Sequence, residues 1–176
     1  PAPEFSYGFR GRMDERYEMV RTVRKGNYKY IRHYEGFYPD GLQNNYRYKS
    51  LAWEDWRTQY QAGNLNKVQA AFFEPKPAES LYDVEADPWE THNLADDPAH
   101  AETLKQLRAN LEKRVKGMPD LSFYPENVLV EKAMGNPVGF GQEHTDEIAQ
   151  LVDTADLALL PFEEASPKIV EALDSE

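Results

Sequence analysis

The feature that most constrains the fold is a pair of alternating segments on either side of Lys25-Gly26-Asn27. Residues 18–24 (EMVRTVR) and 28–34 (YKYIRHY) are rich in β-branched and aromatic side chains, which favour strands. Gly and Asn tolerate the positive φ angles that short hairpin turns require. The sequence therefore predicts a tight β-hairpin. Because side chains alternate along a strand, its second arm places on one face Tyr28, Tyr30, Arg32 and Tyr34, and on the other Lys29, Ile31 and His33.

Two further segments predict strands beside this hairpin. Phe5, Tyr7 and Phe9 alternate with small or polar residues, and residues 81–84 (LYDV) form a short apolar segment before a turn. Residues 11–16 (GRMDER) are polar and predict a break after the first strand. We therefore expect a small antiparallel sheet of about four strands.

The clearest helix is predicted over residues 98–116. Asp97 is a good N-cap, Pro98 suits the first helical position, and Gly117 suits the end of the helix. Apolar residues at helical spacing form a stripe that we expect to pack against the sheet: Leu104, Leu107, Leu111 and Val115.

Shorter helices are predicted on either side of this one. Trp53, Trp56 and Tyr60 share a face of a predicted helix over residues 51–60, which favours core packing over a sugar-stacking platform. Further helices are predicted over residues 66–73, 126–134 and 145–159.

The C-terminal part predicts a change of architecture. Residues 137–141 have the composition of a linker, and Ser166-Pro167 predict the cap and first position of a last helix. Because that helix would reach barely two turns, we expect the natural protein to continue. The predicted fold class is α+β: a small antiparallel sheet of about four strands packed against a long helix and followed by a helical appendage. The predicted domains are residues 1–134 and 135–176.

Composition excludes several kinds of site. The chain has no Cys, so a disulfide framework, a Cys-ligated zinc site and thiol catalysis are absent from it. Residues 1–50 hold ten Lys/Arg against six Asp/Glu and eleven of the 22 aromatic residues, whereas the whole chain has a net charge of −11. The acidic remainder argues against nucleic-acid binding. The basic aromatic segment could face an anionic ligand, but a sheet with solvated Arg on one face is the simpler explanation and is favoured.

Membrane and export signals are not evident. No apolar segment approaches the roughly 20 residues that span a bilayer. The N-terminal PAPEFSYGFR has no apolar core of the kind found in signal peptides, although any export signal of a longer protein would lie upstream.

Three segments resemble one family, the formylglycine-dependent sulfatases. Residues 81–94 (LYDVEADPWETHNL) resemble the "LYDL…DP.E..NL" segment of the small C-terminal subdomain in that family. Residues 12–34 resemble the preceding hairpin with its "R.VR…YKYI" pattern, and residues 76–83 (KPAESLYD) resemble "KPAEELYD". The resemblance covers roughly residues 5–134 and is nearest to bacterial and sulfamidase-like (heparan N-sulfatase) members. Residues 143–176 resemble the start of a helical-repeat extension.

The resemblance implies a two-part enzyme whose chemical centre lies outside this chain. The family's N-terminal domain has an alkaline-phosphatase-like fold and carries a formylglycine, made from Cys or Ser in a C/S-x-P-S-R motif, together with a Ca²⁺ site. No serine here begins that motif, so no catalytic residue and no metal ligand is expected in this chain. The implied partners are the catalytic domain and a sulfated glycan or aryl sulfate, with no nucleic acid and no membrane. The implied location is the periplasm or the exterior.

Arg12, Asp14 and Glu15 are the candidate substrate-binding residues that the resemblance suggests, at the rim of the pocket. An Arg can pair with a second sulfate or a uronate carboxylate, and carboxylates can accept hydrogen bonds from sugar hydroxyls. The alternative is an Arg12–Asp14 salt bridge that fixes the turn. His33 and His92 are expected to be structural. The same is expected of the recognisable motif residues Leu81, Tyr82, Asp83, Asp87, Pro88, Glu90, Asn93 and Leu94.

Two other functions stay open. The chain can be a standalone carbohydrate-binding module whose surface is residues 5–48, or a structural fragment that has no function of its own. A tight complex with a sulfated oligosaccharide in the absence of any partner domain favours the first. A sizeable exposed apolar face favours the second.

Overall fold

A four-stranded antiparallel sheet in the order β1-β2-β3-β4 organises the fold, in a computed structural model that describes residues 3–13 and 16–174. The predicted hairpin is confirmed: Lys25 pairs with Tyr28, which leaves Gly26 and Asn27 as the turn, and Gly26 takes a φ of 57°. The predicted outer strands are confirmed as well. The strands are β1 (Ser6–Met13), β2 (Arg16–Lys25), β3 (Tyr28–His33) and β4 (Glu79–Asp83).

Helices surround the sheet, and the fold class is α+β as predicted. The helices of the described residues are α1 (Leu51–Gln61), α2 (Lys67–Ala70), α3 (Ala101–Lys116), α4 (Glu126–Val128), α5 (Pro137–Glu143), α6 (Thr145–Asp156) and α7 (Phe162–Asp174). Three of the predicted helices are α-helical only in their first part. Helix α2 is followed by a 3₁₀ turn that ends at Phe73, α4 by a π-helix that ends at Ala133, and α6 by a 3₁₀ turn that ends at Leu159.

The core lies between one sheet face and α3. Val23, Tyr30 and Leu81 are direct neighbours across three strands and are almost fully buried. The predicted stripe packs on them, and Val152 of α6 completes the cluster. The stripe residues are all buried: Leu104, Leu107, Leu111 and Val115. Asp97 is a cap as predicted, because its side chain accepts the amide hydrogen of Ala99 at 2.9 Å, but it caps a 3₁₀ turn (Pro98–His100) and the α-helix itself begins at Ala101.

Two buried arginines of the same sheet face tie the C-terminal part of the chain to the sheet. Arg21 and Asp120 form a bidentate ion pair at 2.7 and 3.0 Å, with side chains only 4% and 11% exposed. Arg32 donates to Asp156 at 2.9 Å and to the carbonyl of Ala155 at 2.9 Å. Helix α6 therefore packs on the sheet-and-α3 unit, while the domain division at residue 134 stays a prediction.

The predicted polar break over residues 11–16 is wrong in its extent. Gly11, Arg12 and Met13 belong to β1, and Arg16 begins β2. The pairing shifts between Arg10 and Arg12, because Gly11 alone stands opposite two residues of β2. A polar segment can form an edge strand when its side chains have partners in distant parts of the chain, and the sequence alone does not reveal those partners.

Two predictions for the C-terminal part are also wrong. Residues 137–141 are not a linker but helix α5, capped by Asn136, whose side chain accepts the Gly139 amide hydrogen at 3.0 Å. Ser166-Pro167 do not start the last helix, because α7 begins at Phe162 and encloses Pro167. The start is set upstream, where the carbonyl of Pro161 accepts the amide hydrogens of residues 164 and 165.

The tryptophan stripe of α1 packs on other aromatic rings. Trp56 stacks on Phe72 with ring centroids 4.6 Å apart, and Tyr60 stacks on Phe73 at 4.6 Å. Phe73 is buried, whereas no residue of α1 is fully buried. The stripe is thus a satellite cluster at the edge of the fold and lies outside the main core.

Leu107→Ala tests the core. We expect a loss of about 2–5 kcal/mol in the free energy of unfolding, because the change leaves a cavity between α3 and the sheet. Lys105→Ala on the exposed side of the same helix should change it by less than about 0.5 kcal/mol. Denaturant unfolding of both variants measures the difference, and a similar small effect for the two would contradict this packing.

Asp120→Ala tests the buried ion pair. We expect a loss of about 3–5 kcal/mol, because Arg21 keeps its charge in a buried place without a counter-charge. Asp153 provides the matched control, since it pairs with Lys116 while its own side chain is 63% exposed. Asp153→Ala should cost about 1 kcal/mol or less in the same unfolding experiment. Equal losses for the two variants would show that burial does not set the strength of the Arg21 pair.

Candidate functional site

An irregularity in the β1–β2 pairing, where β2 has one extra residue opposite Gly11, sends two arginines of β1 to opposite faces of the sheet. Residues two positions apart in a regular strand point to the same face. Here Arg10 pairs with Glu18 and Asp40 on one face, while Arg12 contacts Tyr17 and Glu126 on the other. The shift at Gly11 is the cause, since a bulge re-aims the side chains next to it.

Arg12, Tyr17 and Glu126 form a compact polar cluster on the helix-bearing face. The Arg12 Nη1 donates to Glu126 Oε1 at 2.6 Å, and the Tyr17 hydroxyl donates to Glu126 Oε2 at 2.6 Å. The Arg12 guanidinium also lies 5.2 Å from the centre of the Tyr17 ring. The hydrogen bond from Tyr17 and the charge of Arg12 lower the pKa of Glu126, and the bond to Glu126 raises the pKa of Tyr17.

A groove opens beside this cluster, between the β1–β2 hairpin and the segment after α3. A pocket of about 230 Å³ adjoins a second of about 510 Å³, and the two share six lining residues. We call this surface the hairpin groove and define it by the shared residues Tyr17, Met19, Glu35, Ser122, Tyr124 and Glu126. Arg12 lines its narrow part, and Tyr34 lines the wide part next to α6. Aromatic rings beside carboxylates and a cation suit a charged sugar.

The far wall of the groove is held in place by Asp120. Besides Arg21, its carboxylate accepts the Ser122 amide hydrogen at 3.1 Å, which caps the 3₁₀ turn Leu121–Phe123. Although burial by itself would raise the pKa of Asp120, the bonds from Arg21 keep it below its ordinary value. The segment that carries Glu126 is therefore fixed to the sheet six residues earlier, at Asp120.

The opposite sheet face holds a second charged pocket of about 460 Å³. Lys76 and Arg10 both contact Asp40, at 3.1 and 3.2 Å. His33 lies among them, and its buried Nδ1 has no hydrogen-bond partner within the described residues. Burial, reinforced by the positive charge of Lys76, lowers the pKa of His33 to about 4.

The recognisable segment 81–94 forms a closed network of local hydrogen bonds. Asp87 accepts the amide hydrogens of Thr91 and His92 at 2.7 and 2.8 Å, which lowers the pKa of its carboxyl group. Asn93 extends β4 by accepting the Leu81 amide hydrogen at 2.9 Å. The Asp83 carboxylate accepts the amide hydrogens of residues 85 and 86, and the Leu94 amide donates to the Leu81 carbonyl. Glu90 has a φ of 53° and forms an ion pair with Lys29 at 2.7 Å. Tyr82 belongs to β4, and Pro88 lies in the loop that follows.

Of the three predicted substrate-binding residues, the structure describes one. Arg12 lines the hairpin groove, whereas Asp14 and Glu15 lie outside the described residues, and so does the alternative Arg12–Asp14 salt bridge. Tyr17 and Glu126 were not predicted. Tyr17 could have been predicted from the pairing of the two strands, because it stands opposite Arg12. Glu126 could not, because it is 114 residues from Arg12 and no sequence pattern indicates their contact.

The described residues offer neither a metal site nor a membrane span. No group of three or more His, Asp or Glu side chains in residues 3–13 and 16–174 is arranged to hold a metal ion. No helix in the described part of the chain combines the length and apolar character needed to cross a bilayer.

Comparison with known proteins relates the chain to a sulfatase. It is 33% identical over 125 residues, 69% of its length, to an ulvan-active sulfatase of Formosa agariphila. The chain spans one fifth of the length of that relative. No family model matches the chain. The similarity therefore indicates a sulfatase-related region.

His33 predicts a pH dependence of stability. Its pKa of about 4 lies below the ordinary value, so between these two pH values the unfolded chain binds a proton that the folded chain does not. The stability contributed by neutral His33 is therefore complete above about pH 6.5 and is lost as the pH falls toward 4. We expect His33→Gln to remove about 2 kcal/mol of this acid sensitivity, measured by denaturant unfolding at pH 7 and pH 4.5.

The exposed His92 supplies the control for this experiment. His92→Gln should leave the difference between the two pH values as it is in the unmodified protein. An acid sensitivity of the same size in the His33 variant and in the unmodified protein would contradict the prediction.

Proposed function

We propose that this chain is the C-terminal subdomain of a sulfatase that hydrolyses sulfate esters, or an N-sulfate, of a sulfated glycan or aryl sulfate. The similarity over 125 residues to an ulvan-active sulfatase carries the proposal. The small antiparallel sheet with one long helix, and the order of the three recognisable segments along it, support it. Because the relative acts on ulvan by its name, a sulfated polysaccharide is the first substrate to test.

The proposed role of this piece is to support the fold and to form the rim of the substrate pocket. Sulfate-ester hydrolysis requires a nucleophile and groups that stabilise the developing charge. Both are expected in the remainder of the protein, as a formylglycine and a Ca²⁺ site. Within this chain Arg12 is the substrate contact, because it lies at the surface of a groove that also offers aromatic rings and carboxylates.

The proposed partner of the second sheet face is the catalytic domain of the same natural protein. That face joins charged and half-buried side chains around Arg10, His33 and Lys76 in one pocket. Large exposed rings lie elsewhere on the chain, at Phe37 and Trp89, where a second domain would cover them. From the resemblance to sulfatases alone, we propose a periplasmic or secreted location.

A standalone carbohydrate-binding module is the second candidate. It is favoured by exposed aromatic rings in the basic segment, of which Tyr46 is the most exposed. Rings at the surface stack readily on sugars. The mass of the native polypeptide separates the two functions. A mass several-fold above 20.3 kDa supports the sulfatase, and a mass of 20.3 kDa supports the module.

The direct experiment is a sulfate-release assay on the full-length protein with Ca²⁺. Ulvan and a chromogenic aryl sulfate are the substrates, with chelator-treated protein as the control. Release of sulfate from either substrate is expected. Failure to release sulfate from both, under conditions in which the protein is folded, would contradict the proposed activity.

Arg12→Ala in the full-length protein tests the role of this chain. We expect a higher KM or a lower kcat for the polysaccharide, because the anion contact is lost, and an almost unchanged melting temperature, because the Arg12–Glu126 pair is exposed. Arg24→Ala removes the same charge from an exposed site whose contact is the local carbonyl of Gly26, and should leave both constants unchanged. A large fall in melting temperature with intact kinetics would make Arg12 a structural residue.

A further inference from the structure

Glu126 already presents an anion to the donors of the hairpin groove. Its two carboxylate oxygens each accept one hydrogen bond at 2.6 Å, one from the Arg12 guanidinium and one from the Tyr17 hydroxyl. A uronate carboxylate or a sulfate group offers the same pair of oxygen acceptors on one central atom. The cluster is therefore shaped for an anion and is occupied by one from the chain itself.

The exposure of this contact makes it exchangeable. The Arg12 and Glu126 side chains are 48% and 57% exposed, so solvent and salt weaken their attraction. Helix α4, which begins at Glu126, is one short turn, and among residues 3–13 and 16–174 the Glu126 carboxylate contacts the polar groups of Arg12 and Tyr17 alone. Glu126 can therefore leave at small cost. The buried Arg21–Asp120 pair on the same face is the opposite case, because breaking it leaves a buried charge without a counter-charge.

We infer that Glu126 is an internal competitor, which occupies the Arg12–Tyr17 pair and is displaced by a carboxylate or sulfate group of a polysaccharide. The inference rests on the proposed function only for the class of ligand. The sugar that carries the anion then lies along the groove past Met19 and Tyr124, where the wide pocket of about 510 Å³ begins. The competition lowers the affinity for isolated anions and favours ligands that also fill the groove.

The test is the affinity of the full-length protein for two polyanions, dextran sulfate and polygalacturonate, with neutral dextran as a blank. Glu126→Gln removes the internal charge and keeps the shape of the side chain. We expect it to bind at least one polyanion about two- to fivefold more tightly at low salt. A gain for dextran sulfate alone identifies a sulfate as the displacing group, and a gain for polygalacturonate alone identifies a carboxylate.

Two further variants separate competition from a general change of charge. Glu131→Gln removes one charge from an exposed position of the same segment, five residues further along the chain, and should give a smaller gain than Glu126→Gln. In an Arg12→Ala background, Glu126→Gln should have no effect, because the site that Glu126 blocks no longer exists.

The inference is overturned by unchanged or weaker binding of Glu126→Gln, by an equal gain from Glu131→Gln, or by a gain that persists without Arg12. Weaker binding would make Glu126 a residue that positions Arg12 for the ligand. Failure to bind either polyanion, by the unmodified protein and the variant alike, would also overturn it. Because binding is measured without turnover, a gain in affinity in a protein that releases no sulfate would uphold the inference and contradict the proposed activity.

Discussion

The bidentate contact between Arg21 and Asp120 determines where the C-terminal half of the molecule meets the sheet. Arg21 is buried in the face that packs against α3, and its remaining nitrogen donates to the carbonyls of Arg10 and Val20. A buried guanidinium must have its charge and its donors satisfied, so the structure has to bring a carboxylate to this point. Asp120 meets that demand from 99 residues away, and it fixes the chain directly after α3. This contact places Ser122, Tyr124 and Glu126, which form the far wall of the hairpin groove.

Arg32 repeats the arrangement with α6, and the comparison of the two pairs is instructive. Asp120 accepts two bonds from Arg21 and one from a backbone amide, and its pKa is lowered. Asp156 accepts a single side-chain bond from Arg32, so burial prevails and its pKa is raised. In these two pairs the larger number of donors at Asp120 offsets its burial, whereas at Asp156 burial, reinforced by the negative charge of Glu112, prevails. Since a buried ion pair often adds no more stability than apolar residues of the same volume would, we interpret both pairs as contacts that specify where the helices sit.

Local rules predicted the regular parts of this fold and failed where partners come from far along the chain. The β2–β3 turn, the cap at Asp97 and the leucine stripe of α3 each depend on residues within a few positions, and all three are confirmed. The start of α7 was misplaced because the Ser-Pro signal at residues 166 and 167 is purely local, whereas the helix is already under way at Phe162. The candidate site divides in the same way. Arg12 was suggested by the family resemblance, but its contact with Glu126 is a product of tertiary structure. The bulge opposite Gly11 has no sequence signature that periodicity could detect.

Asp120 and Glu126 show how one short segment can combine a fixed and an exchangeable contact with the same sheet. Both are carboxylates facing an arginine of the β1–β2 pair, and they differ chiefly in exposure. Burial makes the first contact expensive to break, since water cannot replace either partner, while exposure lets water or another anion replace the second. A binding groove needs this combination, because a wall that moved with each ligand would lose the order of the site, and donors locked to the protein would not recognise a ligand at all. The solvent exposure of each carboxylate therefore indicates its role better than its position in the sequence does.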